Sequence, residues 1–563
     1  MPIELNSQRS LNSSSVESEV SGLKVGAAWL TSASLSGLRE LLDSCSQGVV
    51  KNAIHWVRAA CQAKRIAADQ PIAAEEILAG PVTVLRYLRL LSSVLQDAEK
   101  TGSPNLPGKP RTNSQGLACI PVMPVRSLFD SLTFMGLEAE IWRQKDSNPS
   151  ELFTSNWRAS ENAKAQVAGV LGAGNVSSIP ATDMLYKIFH DRESVLLKLN
   201  PVNDYLEPIF NDAFRPLVDA KLLRIVCGGI EVGDAIVKNE SIGSLHLTGS
   251  HLTHDAIVWG SDPLDRADRK RENRPLVMKS VTSELGNVTP WIIVPGQYTR
   301  KQLRAQAEHV VAGIVNNASF NCLATKMIVT SRGWAQRVEF LDLIETFFSR
   351  IPPRYAYYPG AHQRFARAVG KPCPIADDGT LPWTLIRDAD PIDSPHLFDE
   401  ESFVCVCAET QLAENSPDAF LDSAVDFVND RLFGTLCATL TLPSDFRQRH
   451  ATALDRALGK LRYGAVCINQ WPGIAYGIMT PPWGGYPGAT MAEPISGIGH
   501  VHNTFCVSNI DKAVLWGPLC NFPKAVWFPT HRTANRVAWD LLRVYDSPSI
   551  LRLPKLFVDA LQG

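Results

Sequence analysis

Cys322 sits in a polar break between a helical run and an apolar run, a placement that suits a nucleophile. The stretch before it, from about Lys301, carries Leu303, Ala307, Val310, Val311, Ile314 and Val315 at i, i+4, i+7 and i+8 spacing, one apolar face of a 3.6-residue repeat. Asn316, Asn317, Ser319 and Asn321 interrupt that face, and residues 326–330 resume as a buried strand. A thiol fixed between a helix end and a strand can be reached from a cleft, as covalent catalysis requires. A packing role suits the position too, since free cysteine is among the most buried residue types. Two further clusters have a chemical reading. Gly172-Ala-Gly174 lies between a strand and a helix, where a phosphate-cradling turn is found, but Ser177 stands where a third glycine or alanine is expected. A plain tight turn explains the pair equally well. His246, His251 and His254 fall close together without a cysteine or paired carboxylate beside them. They point to capping and packing, and no metal is expected.

The elements that must hold these residues follow from hydrophobic rhythm. Residues 35–99 repeat apolar positions every three or four, a helical pattern, and residues 102–111 form a Pro- and Gly-rich loop. After about residue 150 short apolar runs alternate with amphipathic helices. Strands are expected at 166–171, 195–199, 222–227 and 245–248, with helices at 178–190, 204–220, 231–238 and 254–259. Ser178 and Pro180 have the residue types of a helix start. This alternation is the signature of a parallel α/β sheet, here a Rossmann-type domain over about 160–270. A second α/β segment follows, with strands at 289–294, 326–330, 403–407, 435–442 and 465–469 and helices at 334–348, 419–431 and 446–461. The fold class is therefore α/β, two Rossmann-like parallel-sheet domains with a helical N-terminal segment and a C-terminal tail.

Bulk properties narrow the classes. At 563 residues, 45% of them hydrophobic and 20% charged, the chain has ordinary globular composition and room for two or three domains. A net charge of -2 and the lack of a basic stripe argue against nucleic acid. Twelve dispersed cysteines with no CxxC pair fit reduced thiols in a cytoplasmic protein. Residues 1–20 are rich in Ser and Asn and lack an apolar core, so a disordered tail to about 25 is expected rather than a signal peptide. No uninterrupted apolar run reaches the roughly 18 residues of a membrane span.

Several stretches, taken in order, resemble the aldehyde dehydrogenase superfamily. Val195-Leu-Leu-Lys-Leu is similar to the family's "VVxK" strand, Leu247-Thr-Gly-Ser250 to its "FTGS" turn, and Ser283-Glu-Leu-Gly286 to "LELGG". Cys322-Leu-Ala resembles the nucleophile motif, Glu400-Glu-Ser-Phe403 resembles "EEIFGP", and Pro482-Trp-Gly-Gly485 with Ser496-Gly-Ile-Gly499 resembles the "PFGG…SGIG" ending. The loop Ala173-Gly-Asn-Val-Ser occupies the place of "PWNFP". The resemblance covers about 165–500 and implies Cys322 as nucleophile, Glu284 as general base and Asn175 as oxyanion donor. It also implies a nicotinamide cofactor, NAD or NADP, held by Lys198, Gly233, Gly249, Ser250, Glu401 and Phe403.

Departures from the family pattern bear on the reaction. Pro201 stands where an acidic residue usually binds the ribose hydroxyls, which tilts the expectation toward NADP. The GAGN loop is similar to the fatty acyl-CoA reductase (LuxC-like) branch, which runs the acyl thioester chemistry in reverse. The substrate implied is an aldehyde or an acyl thioester. The glycines lost after Glu284 motivate a rival, a fold relative without catalysis. The domains expected are a tail at 1–25, a helical part of the cofactor domain at 26–150, the NAD(P)-binding domain at 151–276, the catalytic domain at 277–488 and an extension at 489–563. The resemblance also implies a homo-oligomer, dimer or tetramer, paired through a flap near 130–160 and the region after 500.

Overall fold

The computed structural model describes residues 13–145, 147–148, 151–154, 164–372 and 375–563. The first twelve residues of the expected tail lie outside that range. Residues 13–25 do not form a tail. They belong to helix α1 (Ser13–Leu30), whose Val16, Val20, Leu23, Ala27 and Leu30 are all buried. A one-sided apolar stripe at helical spacing outweighs the polar composition that suggested disorder. Helices α2 (Leu35–Ala63) and α3 (Thr83–Thr101) then pack on each other. The chain kinks before α3 at Gly80-Pro81, where proline cannot supply a helical N–H. Pro71–Thr101 is the one helical stretch among the described residues long and apolar enough to cross a membrane, and 67% of its apolar window is buried inside the protein.

Strands β1 (Ala118–Met123) and β2 (Glu138–Arg143) form an antiparallel pair ahead of the alternating region. The cofactor-type sheet follows, with β3 (Val167–Leu171), β4 (Ser194–Lys198), β5 (Leu223–Val226), β6 (Ser244–Gly249) and β7 (Ser280–Leu285). All its pairings are parallel and its spatial order is β5-β4-β3-β6-β7. Helices α4 (Ile179–Phe189), α5 (Ile230–Lys238) and α6 (His251–Trp259) connect these strands, and α1 covers one face, joining Val167, Leu196 and Val226 in a single core cluster. The helix expected at 204–220 is broken into Asp204–Leu206, Glu207–Ala213 and Arg215–Asp219, two of which open with proline in the first turn. The sheet also runs past the expected boundary at 276, because β7 carries residues 280–285.

The second sheet holds β8 (Thr289–Ile293), β9 (Thr325–Ser331), β10 (Thr384–Ile386), β11 (Val406–Leu412), β12 (Cys437–Thr441), β13 (Ala465–Ile468) and β14 (Ile510–Trp516). Their order is β14-β13-β12-β8-β9-β11-β10, all parallel, and β14 pairs antiparallel with β2, so β1 and β2 extend the same sheet. The strand expected at 403–407 is displaced to β11, because Phe403 takes a left-handed turn at φ 45°. Helix α7 (Arg300–Val315) opens with a capping box between Thr299 and Gln302. The chain ends in helix α8 (Ala534–Asp546) and a short partner, Leu553–Leu561, with α8 docked against the start of the Pro71–Thr101 stretch.

If α1 is part of the core, Leu23→Ala should cost about 2–5 kcal/mol, the range for a buried leucine truncation. Urea unfolding of the variant beside the parent reads this. A loss under about 0.5 kcal/mol, typical of surface changes, would mean that α1 is not docked.

Candidate active site

Lys198, Gly249 and Ser250 of the expected cofactor residues gather at the carboxyl end of one sheet. Lys198 ends β4, Gly249 ends β6, and the Gly172–Asn175 loop follows β3. The order of the sheet reverses between β3 and β6, the crevice where ligands of open α/β sheets bind. Lys198 is buried, its Nζ donates to the Leu199 carbonyl at 3.3 Å, and burial lowers its pKa. Gly233 on α5 faces it, since a methyl group there would lie 3.8 Å from the lysine Cδ and Cε. Ser250 caps α6, its Oγ accepting the Thr253 N–H at 3.2 Å. The two glycines of the GxG loop serve close packing. A Cβ on Gly174 would meet the Asn200 side chain at 2.7 Å, and one on Gly172 would meet Pro180 at 3.1 Å. The three histidines go to separate places. His246 bonds Thr282 at 2.9 Å, His251 lies against Phe433, and His254 is fully buried on α6.

Cys322 follows a loop with three consecutive left-handed residues, Asn317 (φ 53°), Ala318 (φ 54°) and Ser319 (φ 69°). Such backbone is costly for non-glycine residues and persists only where surroundings impose it. Here a buried polar network does so. The Asn317 amide donates to the carbonyls of Asn175 and Phe320 and to Asn321 Oδ1, each at 3.0 Å. Its Oδ1 accepts from Lys64 Nζ at 2.8 Å and from the Tyr357 hydroxyl at 3.0 Å. Lys64 also pairs with Glu76 at 2.8 Å and donates to the Asn175 carbonyl at 3.1 Å. Asn175 in turn donates one amide hydrogen to the Phe320 carbonyl at 2.9 Å. The asparagine expected as oxyanion donor is therefore tied to the nucleophile loop from both ends of its residue, and it lines the same cavity as Cys322.

Glu284 lies inside β7 with 2% of its surface exposed, and neither carboxyl oxygen has a hydrogen bond of normal geometry. Its polar neighbours are the Cys322 thiol and the Trp483 indole. Burial is the largest influence and pushes its pKa up to about 7. The thiol is pushed well above its usual range, first by burial and then by the Glu284 and Glu401 carboxyls. A buried carboxyl beside a buried thiol, with an affinity for protons near neutrality, can take the thiol's proton.

The "SGIG" segment earns its resemblance by holding that base in place. It runs along β7, accepting the Ser283 N–H at the Ile498 carbonyl (2.9 Å) and the Leu285 N–H at the Ser496 carbonyl (2.9 Å). Gly497 has φ 122°, and a Cβ there would fall 2.0 Å from the Ser283 carbonyl oxygen. Gly286 allows a similar approach, since a Cβ on it would lie 1.8 Å from Glu401 Oε2. Glu401 presents a buried Oε1 without a partner, a group that fits a ribose hydroxyl close to the reacting centre. Burial raises its pKa, while Lys326, which donates to Val404 O at 2.6 Å and Ser319 Oγ at 2.9 Å, opposes that rise. Phe403 packs its ring against Tyr358 (5.0 Å) and Phe320 (5.8 Å), under the nucleophile loop.

Cys322 and Asn175 thus line one cavity with Glu284 beside the thiol. Lys198 and Gly249 stand at strand ends, Ser250 follows, Gly233 lies on α5 against Lys198, and Glu401 and Phe403 lie in the loop before β11. Lys64, Glu76, Asn317, Tyr357 and Trp483 were not foreseen. The sequence marked Asn317 only as a break in a helix, and nothing local distinguishes Lys64 from a solvated lysine at a helix end.

Residues 200–351 match the model of the aldehyde dehydrogenase family, a span that holds Gly233, Gly249, Ser250, Glu284 and Cys322. No curated protein matches the chain. Among solved structures, the aldehyde dehydrogenase KauB from Pseudomonas aeruginosa aligns with 15% identity over 90% of each chain at a TM-score of 0.59. An NAD-dependent aldehyde dehydrogenase from Sinorhizobium meliloti aligns with 15% identity, covering 89% of this chain and 86% of the other, at 0.58. The glyceraldehyde-3-phosphate dehydrogenase GapN from Methanocaldococcus jannaschii, solved with NADP, aligns with 13% identity over 91% and 96% at 0.56. The chain has the aldehyde dehydrogenase fold.

Two outcomes are expected from this geometry. With Glu284 raised to about 7, the ionised carboxylate that draws the thiol proton is present above that pH and lost below it. Alkylation of Cys322 by iodoacetamide should therefore slow as pH falls through neutrality, and Glu284→Gln should remove that step. A profile unchanged by Glu284→Gln would separate the two groups. Gly497→Ala should destabilise the fold by roughly 1–3 kcal/mol through strained backbone and displace Glu284. Thermal unfolding together with the alkylation profile checks both effects.

Proposed function

We propose that this chain, with its aldehyde dehydrogenase fold, is an NAD(P)-dependent oxidoreductase that converts aldehydes to acyl products through a thioester on Cys322. The observation that carries the reading is the buried Glu284 carboxyl beside the thiol of Cys322, which lines a cavity together with Asn175. A fold relative that had lost catalysis would have no use for an unpaired buried carboxyl, which costs stability wherever it is charged.

The steps follow from the residues. Glu284 takes the thiol proton and the thiolate of Cys322 bonds to the aldehyde carbon. The carbonyl oxygen becomes negative and is met by the free hydrogen of the Asn175 amide and the Cys322 backbone N–H. The bound oxidised nicotinamide supplies the acceptor for the hydride that leaves that carbon. The carbon is then a thioester on Cys322. Glu284, its proton passed to solvent, deprotonates a water that attacks the thioester, and collapse releases a carboxylic acid and restores the thiol.

Lys198, Gly233, Gly249, Ser250, Glu401 and Phe403 would hold or border the cofactor. NADP is favoured over NAD, because Pro201 replaces the carboxylate that would bind a 2′-hydroxyl and repel a 2′-phosphate. The same Pro201 supports a second reading, in which the thiolate accepts an acyl group from acyl-CoA and NADPH reduces it to aldehyde. The homo-oligomer implied by the family belongs with this proposal, as does a cytoplasmic location.

Paired assays decide between the readings. Aldehyde with NAD or NADP, and separately acyl-CoA with NADPH, are followed by nicotinamide absorbance and by mass spectrometry of the Cys322 peptide. Acylation of Cys322 in at least one arm is expected. Cys322→Ala should abolish turnover while leaving nucleotide binding intact, and Asn175→Ala should lower kcat by about 10²–10³. Silence in both arms with an unmodified Cys322 peptide would refute the proposal.

A further inference from the structure

The cavity that Cys322 lines is mostly apolar. Asn175, Asn321 and Cys322 line it together with Leu78, Val82, Ile179, Leu323, Trp471 and Phe528. Part of its lining comes from the C-terminal helix α8. Ala534, Leu541 and Tyr545 of α8 line it, spaced seven and four residues apart, which puts them on one face of that helix.

Three lining residues have acidic or basic side chains, Glu75, Arg86 and His531, and the two that carry charge are paired within the protein. Arg86 donates Nε to the Ile478 carbonyl at 2.9 Å and Nη1 to the Tyr545 hydroxyl at 3.2 Å, and forms an ion pair with Asp130. Glu75 pairs with Arg354 at 3.1 Å and accepts the Asn317 N–H at 3.0 Å. Burial lowers the His531 pKa to about 4, so its ring is neutral. A charged substrate body would lose its hydration here and gain no counter-charge. An apolar one would be drawn out of water along its whole length.

We propose that the substrate is an aldehyde whose body is uncharged and apolar, and that α8 sets the length it can reach, with Ala534 and Leu541 as specificity-determining residues. This rests on the reading of Cys322 as the nucleophile toward an aldehyde. Each added methylene that finds the wall should raise kcat/KM about fourfold, the transfer value of one buried CH₂, until the cavity is filled.

The test uses the full-length protein and two readouts. The first is kcat/KM for unbranched alkanals from propanal to octanal, with succinic semialdehyde and betaine aldehyde as charged comparisons. The second needs no turnover. It is the protection of Cys322 from iodoacetamide by octanamide, set against succinamate. Expected are a rise along the alkanal series, charged aldehydes poorer by about a hundredfold or more, and protection by octanamide alone. Ala534→Trp should lower the octanal-to-propanal ratio at least tenfold, and Leu541→Ala should shift the optimum to longer chains. Should the tryptophan variant fail to fold, Ala534→Leu is expected to give the same change in smaller measure. A flat series, or a preference for a charged aldehyde, overturns the inference and leaves the oxidoreductase reading standing. Octanamide protection without turnover of any aldehyde overturns the oxidoreductase reading and the inference with it, as does failure of both readouts.

Discussion

One buried ammonium group underlies the geometry of the site. Lys64 ends α2, far from the nucleophile in sequence, yet it bonds Glu76, the Asn175 carbonyl and Asn317 Oδ1 at once. It thereby joins the N-terminal helices, the turn after β3 and the loop before Cys322. Removing one member of such a buried pair typically costs about 3–5 kcal/mol, because the other charge is left without compensation. The left-handed run at 317–319 is held by the same network, since Asn317 is both its first residue and the acceptor of the Lys64 hydrogen bond. The position of the Asn175 amide is therefore set by the packing of three segments and not by the local preference of any of them.

Close backbone approach is the second constraint. Gly286 and Gly497 both sit where a methyl group would overlap another segment, the Glu401 carboxylate in one case and the Ser283 carbonyl in the other. These two glycines let three separate pieces of chain converge on Glu284: the strand that carries it, the "SGIG" segment beside it, and the loop bearing Glu401. The glycines that the resemblance marked as cofactor or base motifs are in part assembly points. The same holds for the GxG turn, whose glycines meet Pro180 and Asn200.

The legibility of the sequence follows from this division. Parallel strands buried on both faces read as continuous apolar runs, so β3, β4, β8, β12 and β13 were visible, and the chemistry-bearing residues at their ends came with them. Strand β7 escaped notice because Ser280-Val-Thr-Ser-Glu-Leu285 is mostly polar, and its buried Ser283 bonds the Ser496–Gly499 segment rather than solvent. Helix α1 was hidden by Ser and Glu on its outer face. The support for Asn175 was out of reach of sequence reasoning altogether. Lys64, Tyr357 and Asn317 are separated by up to about three hundred residues, and only tertiary contacts bring them together.

The charges around Cys322 show why the thiol needs a proton acceptor at arm's length. Burial disfavours the charged form of every group there. It raises Cys322, Glu284 and Glu401 and lowers Lys326. A thiolate formed by losing its proton to bulk water would place a new negative charge between two carboxyls, in a region already poor in solvent. Transfer to Glu284 avoids that, because the carboxylate loses its charge as the sulfur gains one and the total is unchanged. Lys326, tied to Ser319 and Val404 by hydrogen bonds, keeps a cation near Glu401 and limits the repulsion from that side. On the proposed reading the Cys322 thiol stays neutral until the acceptor beside it is ionised, which links its activation to the protonation of one buried residue.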